Sequence, residues 1–417
     1  MADQTSTIPK GWKMTTLGEV AEVNGSTIDK NFTFDEIEYI DVASVEERKL
    51  TETQKLKLEK APSRAKRIVL DDSVLISTVR PNLKHYCFIR KAKPNLIAST
   101  GFAVVNSKQG KSDPYYLYNL LTTNEYTNYL IKIADSQTST YPAFNPSIIQ
   151  NSKFIFPSFT EQRAIAAVLS SLDDKIELLR EQNKTLEATA EAVFKEWFVN
   201  FNFPDATGKM IDSEIGEIPV GWKLVNLNKF FDFIKGTEPG SNSYSLKKLS
   251  GDYLPFYRVQ DTSNYNETPN IFVDLKLLNG KIFNNDDILI SLDGTIGRVF
   301  IGGSGGFSSG VRKVIGKESF ISKALIYCFL KSDRFQGELN SFAGAETTIK
   351  HAGGAIEHIK FIFEKSICEK FGKVANPLFQ KMISNISQIQ TLSTLRNALL
   401  PKLMRGEVRV ENFSIKT

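Results

Sequence analysis

The chain repeats itself, and nothing else in the sequence restricts its fold as strongly. Ile8-Pro9-Lys10-Gly11-Trp12 returns as Ile218-Pro219-Val220-Gly221-Trp222. Asp71-Asp72-Ser73-Val74-Leu75-Ile76-Ser77 is echoed by Asp286-Asp287-Ile288-Leu289-Ile290-Ser291, and Thr100-Gly101 by Ser309-Gly310. Lys153-Phe154-Ile155-Phe156 comes back as Lys360-Phe361-Ile362-Phe363. Four matches in order, at offsets of 207 to 215 residues, mean two copies of one unit.

Each copy has two parts. Residues 8–157 and 218–364 mix short apolar runs with Gly, Asn, Asp and Pro punctuation. Runs such as Ser73–Val79, Phe102–Val105 and Ile288–Ser291 predict strands, while Asp113–Ile133 and Ser322–Phe335 predict helices. The expected fold class is α+β, with two similar globular domains related by a pseudo-two-fold repeat.

The second parts, Thr160–Asn200 and Ser366–Met404, read as long helices. The first carries Ile165, Leu169, Leu172, Ile176, Leu179, Asn183, Leu186, Ala190, Val193 and Trp197, spaced alternately by four and three. A shift of 206 gives Phe371, Ala375, Leu378, Met382, Asn385, Ile389, Leu392, Arg396, Leu399 and Leu403. Two heptad seams in one chain are expected to bury against each other, with the single Asn in each fixing register. Antiparallel pairing of Asn183 with Asn385 sets Ile165 against Leu403, Leu186 against Met382 and Trp197 against Phe371. Leu172 then meets Arg396, which is expected to snorkel. The predicted coiled coil is about 55–60 Å long at roughly 1.5 Å per residue. The alternative is that each helix packs only on its own domain. The expected organisation is a first domain over 1–157, a spacer helix over 158–203, and a linker over 204–217. A second domain over 218–364 and a C-terminal helix with tail over 365–417 complete it.

With 417 residues, the chain is too long for one core. Its 41% hydrophobic and 24% charged residues exclude disordered and fibrous classes, and a net charge of +5 permits a phosphate-rich partner without demanding one. No run reaches the roughly 18–20 apolar residues of a membrane span, and the polar start lacks the apolar core of a secretory signal. Cys87, Cys328 and Cys368, odd in number and widely spaced, read as buried thiols of a cytoplasmic protein.

The chemistry of an enzyme is missing. Asn145-Pro146-Ser147-Ile148 resembles an amino-methyltransferase element but lacks its second Pro and the aromatic that stacks on a flipped base. Gly302-Gly303-Ser304-Gly305-Gly306 is followed by no Gly-Lys-Ser/Thr, so a turn between strands is the better reading. Pro204-Asp205 with Lys209 lacks the second carboxylate of a nuclease site and reads as linker. His85, His351 and His358 show no zinc-ligand spacing, and no Gly-x-Ser-x-Gly elbow occurs. No catalytic residue and no metal site is expected.

The duplicated Ile-Pro-x-Gly-Trp, Ser77-Thr78-Val79-Arg80-Pro81-Asn82, Gly294-Thr295-Ile296-Gly297, Glu161-Gln162-Arg163-Ala164-Ile165 and the tail Leu400-Pro401-Lys402-Leu403-Met404-Arg405-Gly406-Glu407 carry a resemblance. In this order they are similar to the specificity subunits of type I restriction–modification systems, over nearly the whole chain. The resemblance implies that each domain reads one half of a bipartite double-stranded DNA target. It implies that the helices set the spacing and dock two modification subunits, which restriction (motor and nuclease) subunits join. It implies no cofactor on this chain, while the assembled methyltransferase and endonuclease use S-adenosylmethionine, ATP and Mg2+.

Candidate DNA contacts in the first domain are Lys55, Lys57, Lys60, Arg64, Lys66 and Arg67, a basic run opposed in sequence only by Glu59. A solvated face is the plain alternative. Arg80 and Lys84 lie next to a predicted turn, and Arg258, Arg298, Arg312 and Lys313 are comparable in the second domain. Arg80, Asn82, Gln137, Arg258, Gln260, Arg298 and Lys350 are the candidates for base reading. Arg suits guanine, and Asn or Gln suits adenine. The tracts Thr138-Ser139-Thr140 and Thr347-Thr348 suit phosphate contacts, or plain turns. A protein-binding coiled-coil scaffold and an enzyme with an unrecognised site are the competing readings.

Overall fold

The computed structural model describes residues 8–137, 141–263, 268–342 and 352–410. The chain divides into two compact units. One comprises the chain up to Asp173 together with Leu395 onward, and the other comprises Asp174–Thr394.

In the first unit, Lys13–Thr16 pairs antiparallel with Lys153–Phe156. Ala21–Val23, Phe102–Ser107, Ser73–Ser77 and Tyr86–Ile89 form an antiparallel sheet in that order. A smaller sheet runs Gln54–Lys57, Glu36–Ile40, Leu96–Ser99, Ala65–Ile68, with the central pair parallel. Ser73–Ser77 is buried throughout because both its faces are covered. Val74 and Ile76 join the core built on the helices, and Leu75 joins the core against the smaller sheet. A strand buried on both faces reads as a continuous apolar run rather than an alternating one.

The second unit repeats these three sheets strand for strand. Lys223–Asn226 pairs with Lys360–Phe363. Phe231–Lys235, Val311–Gly316, Ile288–Ser291 and Val299–Phe300 form one sheet. Phe272–Asp274, Tyr253–Tyr257, Gly305–Phe307 and Ile282–Phe283 form the other, again with a parallel central pair. The duplication read from four short matches is thus a duplication of topology. The Gly302–Gly306 cluster leads directly into a strand of this sheet.

The helices expected over Asp113–Ile133 and Ser322–Phe335 are each two helices: Pro114–Leu121 with Asn124–Gln137, and Lys323–Lys331 with Asp333–Phe342. Hydroxyl caps make the breaks. The Thr123 hydroxyl accepts from the Tyr126 amide at 3.3 Å, and Ser332, extended at ψ 143°, accepts from the Phe335 amide at 3.3 Å.

The two long helices span Phe159–Phe198 and Lys365–Met404. In the second unit they pack antiparallel, and Asn385 Nδ2 donates to Asn183 Oδ1 at 2.9 Å with both residues fully buried. Asn183 Nδ2 turns to the Met382 carbonyl at 3.4 Å. Ile176 and Leu179 pack on Ile389, and the Trp197 and Phe371 rings lie 6.0 Å apart. In the first unit Ile165, Leu169 and Leu403 share the core. The fold class is therefore α+β, with two similar globular domains and an antiparallel pair of long helices.

Arg396 does not snorkel. Its Nε lies 2.9 Å from Asp173, as an ion pair without hydrogen-bond alignment, and Arg48 and the Tyr115 hydroxyl meet the same carboxylate at 3.6 and 2.6 Å. Burial, reinforced by the like charge of Arg48, pulls the Arg396 guanidinium below its ordinary value. A carboxylate one position beyond Leu172 gave the arginine an internal partner, so the long route to solvent was not needed.

Candidate nucleic-acid interface

The first domain splits the basic run between two strand edges. Lys55 and Lys57 stand exposed on the edge strand Gln54–Lys57, whereas Lys66 and Arg67 lie on the opposite edge strand, Ala65–Ile68. Lys60 closes the exposed turn between them. Strand pairing also brings up acids that the linear sequence keeps apart, since Glu38 faces Lys55 and Glu36 faces Lys57. Arg64 donates to the Tyr39 hydroxyl at 3.0 Å and to Asp41 at 2.5 Å. A hydrogen bond from Lys93, ahead of the charge of Lys55, holds the Glu38 carboxyl below the usual carboxylate range. Arg67 keeps a buried Nε with no hydrogen-bond partner. The run is therefore partly neutralised, and Lys60, Lys66 and the free ends of Lys55 and Lys57 remain its most open cations.

A second constellation forms at the end of Ser73–Ser77. The Ser77 amide donates to the His85 carbonyl at 2.8 Å, and the Ser77 hydroxyl donates to the Val79 carbonyl at 2.8 Å, which closes a loop. Arg80 and Asn82 are exposed on it, and Lys84 pairs with Glu47 at 3.2 Å. The Arg80 guanidinium lies over the ring of Tyr141, 4.7 Å from its centroid. Tyr141 was not legible as a functional residue, because an aromatic outside any periodic run gives no pattern to read. Gln137 ends its helix, but its side chain and Thr138 lie outside the described residues, as do Ser139, Thr140, Thr347, Thr348 and Lys350.

In the second domain Arg258, Gln260 and Arg298 converge on the turn Val259–Ser263. Arg298 Nη1 donates to the Val259 carbonyl at 3.4 Å, Gln260 is exposed, and Arg258 Nε meets Asp261 at 2.8 Å. Arg312 and Lys313 have partners inside the chain instead. The Arg312 side chain is 11% exposed, donates to the Val311 carbonyl at 3.2 Å and stands 4.0 Å from Asp293, while burial pushes its guanidinium down. Lys313 pairs with Asp287 and with the Ile282 carbonyl, each at 3.2 Å. Their place on Val311–Gly316, beside Ile288–Ser291, explains this: side chains of a central strand reach the neighbouring strand's ends before they reach solvent.

His85, His358 and Asp205 have partners inside the chain. His85 Nδ1 donates to the Val42 carbonyl at 2.9 Å, and His358 stacks on Phe342. His351 lies outside the described residues. Asp205 pairs with Lys370 at 2.9 Å. Burial pushes the thiols of Cys87, Cys328 and Cys368 up to about 12. Among the described residues no group of three or more His, Cys, Asp or Glu could hold a metal ion, and no helix is long and apolar enough to cross a membrane.

The family model described as type I restriction modification DNA specificity domain matches this chain twice, over residues 9–188 and 219–363. The chain belongs to that family. The two matches fall on the two copies of the repeat. Among curated relatives, the type I restriction enzyme MjaIX specificity subunit of Methanocaldococcus jannaschii is 30% identical over 430 residues, covering 97% of this chain and 95% of that protein. The type I restriction enzyme HindI specificity subunit of Haemophilus influenzae is 25% identical over 460 residues, covering 95% and 99%. Among solved structures, the type I restriction–modification system S subunit from M. genitalium superposes with a TM-score of 0.57 at 16% identity, covering 97% of each chain. That likeness shows the shared fold.

Proposed function

We propose that this chain is the non-catalytic subunit that selects the DNA target of a type I restriction–modification complex. The observation that carries this is the duplication of one topology in two domains of the family whose relatives are named specificity subunits. The domain at 1–157 reads one half of a bipartite duplex target, and the domain at 218–364 reads the other. Divergent loops on one scaffold are what two unlike half-sites require. The helices, registered through Asn183 and Asn385, act as the spacer and dock two modification subunits. Restriction subunits complete the assembly in the cytoplasm. S-adenosylmethionine, ATP and Mg2+ are used by those partners and not by this chain.

Two sets of cations serve different ends in this reading. Lys55, Lys57, Lys60 and Lys66 neutralise phosphates and fix the protein on the duplex. Arg80 and Asn82 in the first domain, with Arg258, Gln260 and Arg298 in the second, stand at the loops that approach base edges.

The test is methylome sequencing of a host carrying this chain with its modification subunits, against the same host without it. A new methylated motif in two parts, dependent on this chain, is expected. No such motif from an assembled complex would sink the recognition role and favour a protein-binding scaffold.

A further inference from the structure

The loops that follow Ser73–Ser77 and Ile288–Ser291 are built alike. The Ser77 amide donates to the His85 carbonyl at 2.8 Å, and the Ser291 amide donates to the Arg298 carbonyl at 3.0 Å. Thr78 N bonds Gly101 O, and Leu292 N bonds Gly310 O, at 2.8 and 2.9 Å. Arg80 therefore corresponds to Gly294, the third residue after each serine, and Lys84 to Gly297, the last residue before the closing carbonyl.

All four residues are left-handed, with φ of 48° at Arg80, 54° at Lys84, 73° at Gly294 and 80° at Gly297. The second copy uses the residue this backbone favours. A Cβ built on Gly294 meets nothing within 4 Å, so backbone conformation and not lack of room accounts for glycine there. The first copy places two cations in a conformation disfavoured for any residue carrying a Cβ.

Lys84 has an internal reason for its place in the ion pair with Glu47. Arg80 has none of that kind among the described residues. Its backbone is pinned by a 2.7 Å bond from its amide to the Pro142 carbonyl, and its guanidinium carbon sits over Tyr141, itself 63% exposed, 4.7 Å from the ring centroid. Strain held at an exposed, pre-oriented side chain marks a contact outside the chain.

We propose that Arg80, braced by Tyr141, is a base-reading residue of the first domain and that it reads a guanine in the major groove. This rests on the recognition role argued above. The planar guanidinium presents two parallel N–H donors that match guanine O6 and N7, the commonest specific arginine contact. A cation–π contact with Tyr141 holds the fork in place before DNA arrives, so less freedom is lost on binding. Tyr141 is a positioning residue in this scheme.

The experiment presents the full chain, co-purified with its modification subunits, with duplexes randomised across both half-sites, and sequences the bound fraction. The unmodified chain should select guanine at one position that Arg80→Gly loses, by about 5- to 150-fold, with the other half-site unchanged. Tyr141→Ala should weaken the same preference by roughly 2- to 5-fold. Arg80→Gly installs the residue the second copy carries here, so its thermal midpoint should hold, and a collapse in that midpoint would show that Arg80 is retained for stability. Equal weakening on all duplexes makes Arg80 a phosphate contact and overturns the proposal while leaving the recognition role intact. Loss of a preference for A·T pairs instead of guanine overturns the groove assignment. A chain that selects no motif in either half fails the recognition role itself, and this proposal with it.

Discussion

Trp12 and Trp222 occupy the same place in the two copies and are held there by opposite means. Trp12 donates its indole N–H to Glu161 at 3.1 Å, and that carboxylate takes two hydrogen bonds from Arg409, at 2.6 and 2.9 Å. Trp222 is enclosed by Phe198, Phe201 and Phe203, with ring centroids 5.2 to 5.6 Å away. The same contrast runs along the long helices. Asp173 gathers Arg48, Arg396 and Tyr115 in the first unit, whereas Phe371 lies among Phe194, Trp197 and Phe198 in the second. One scaffold can thus be fastened by charge-assisted bonds or by aromatic packing. The first depends on solvent conditions and the second on shape.

The contrast can be broken most sharply at Phe371. Phe371→Ala removes a fully buried ring and should cost the second unit about 3–5 kcal/mol, read as a lower denaturation midpoint. Rapid hydrogen exchange confined to that unit's strands would place the damage, and an unchanged midpoint would mean that the aromatic cluster is not what holds it. Asp173→Asn keeps the shape but strips two arginines of their counter-charge, and should cost the first unit about 2–3 kcal/mol, discounted because Asp173 remains partly exposed. The smallest effect is expected at Glu161→Gln, about 1–2 kcal/mol, seen as faster exchange at Lys13–Thr16. Molar salt should shrink that difference because the ion pair is screened, while Trp222→Leu should show no such salt dependence. Equal salt responses at the two tryptophans would erase the comparison.

The two copies also differ where DNA recognition is proposed. Arg80 and Lys84 stand where Gly294 and Gly297 stand, so the scaffold tolerates either a presented cation or a bare turn. Shared strands with unlike loop residues let one topology serve two different half-sites.

The sequence alone determined the duplication, the heptad seams and their antiparallel register. These are local or periodic signals, and matching Asn183 to Asn385 needs only counting along each helix. The lengths of the long helices were legible for the same reason. The breaks at Thr122–Thr123 and Ser332 were not, because a hydroxyl can cap a helix or sit inside one, and the tertiary fit chooses. Tertiary structure alone decided which cations remain open. Asp41 reaches Arg64, and Glu38 reaches Lys93, only through strand pairing and loop closure, and Asp293 and Asp287 reach Arg312 and Lys313 in the same way. Charge in a sequence is countable, but its neutralisation depends on contacts between residues far apart along the chain, and those exist only once the sheets have formed.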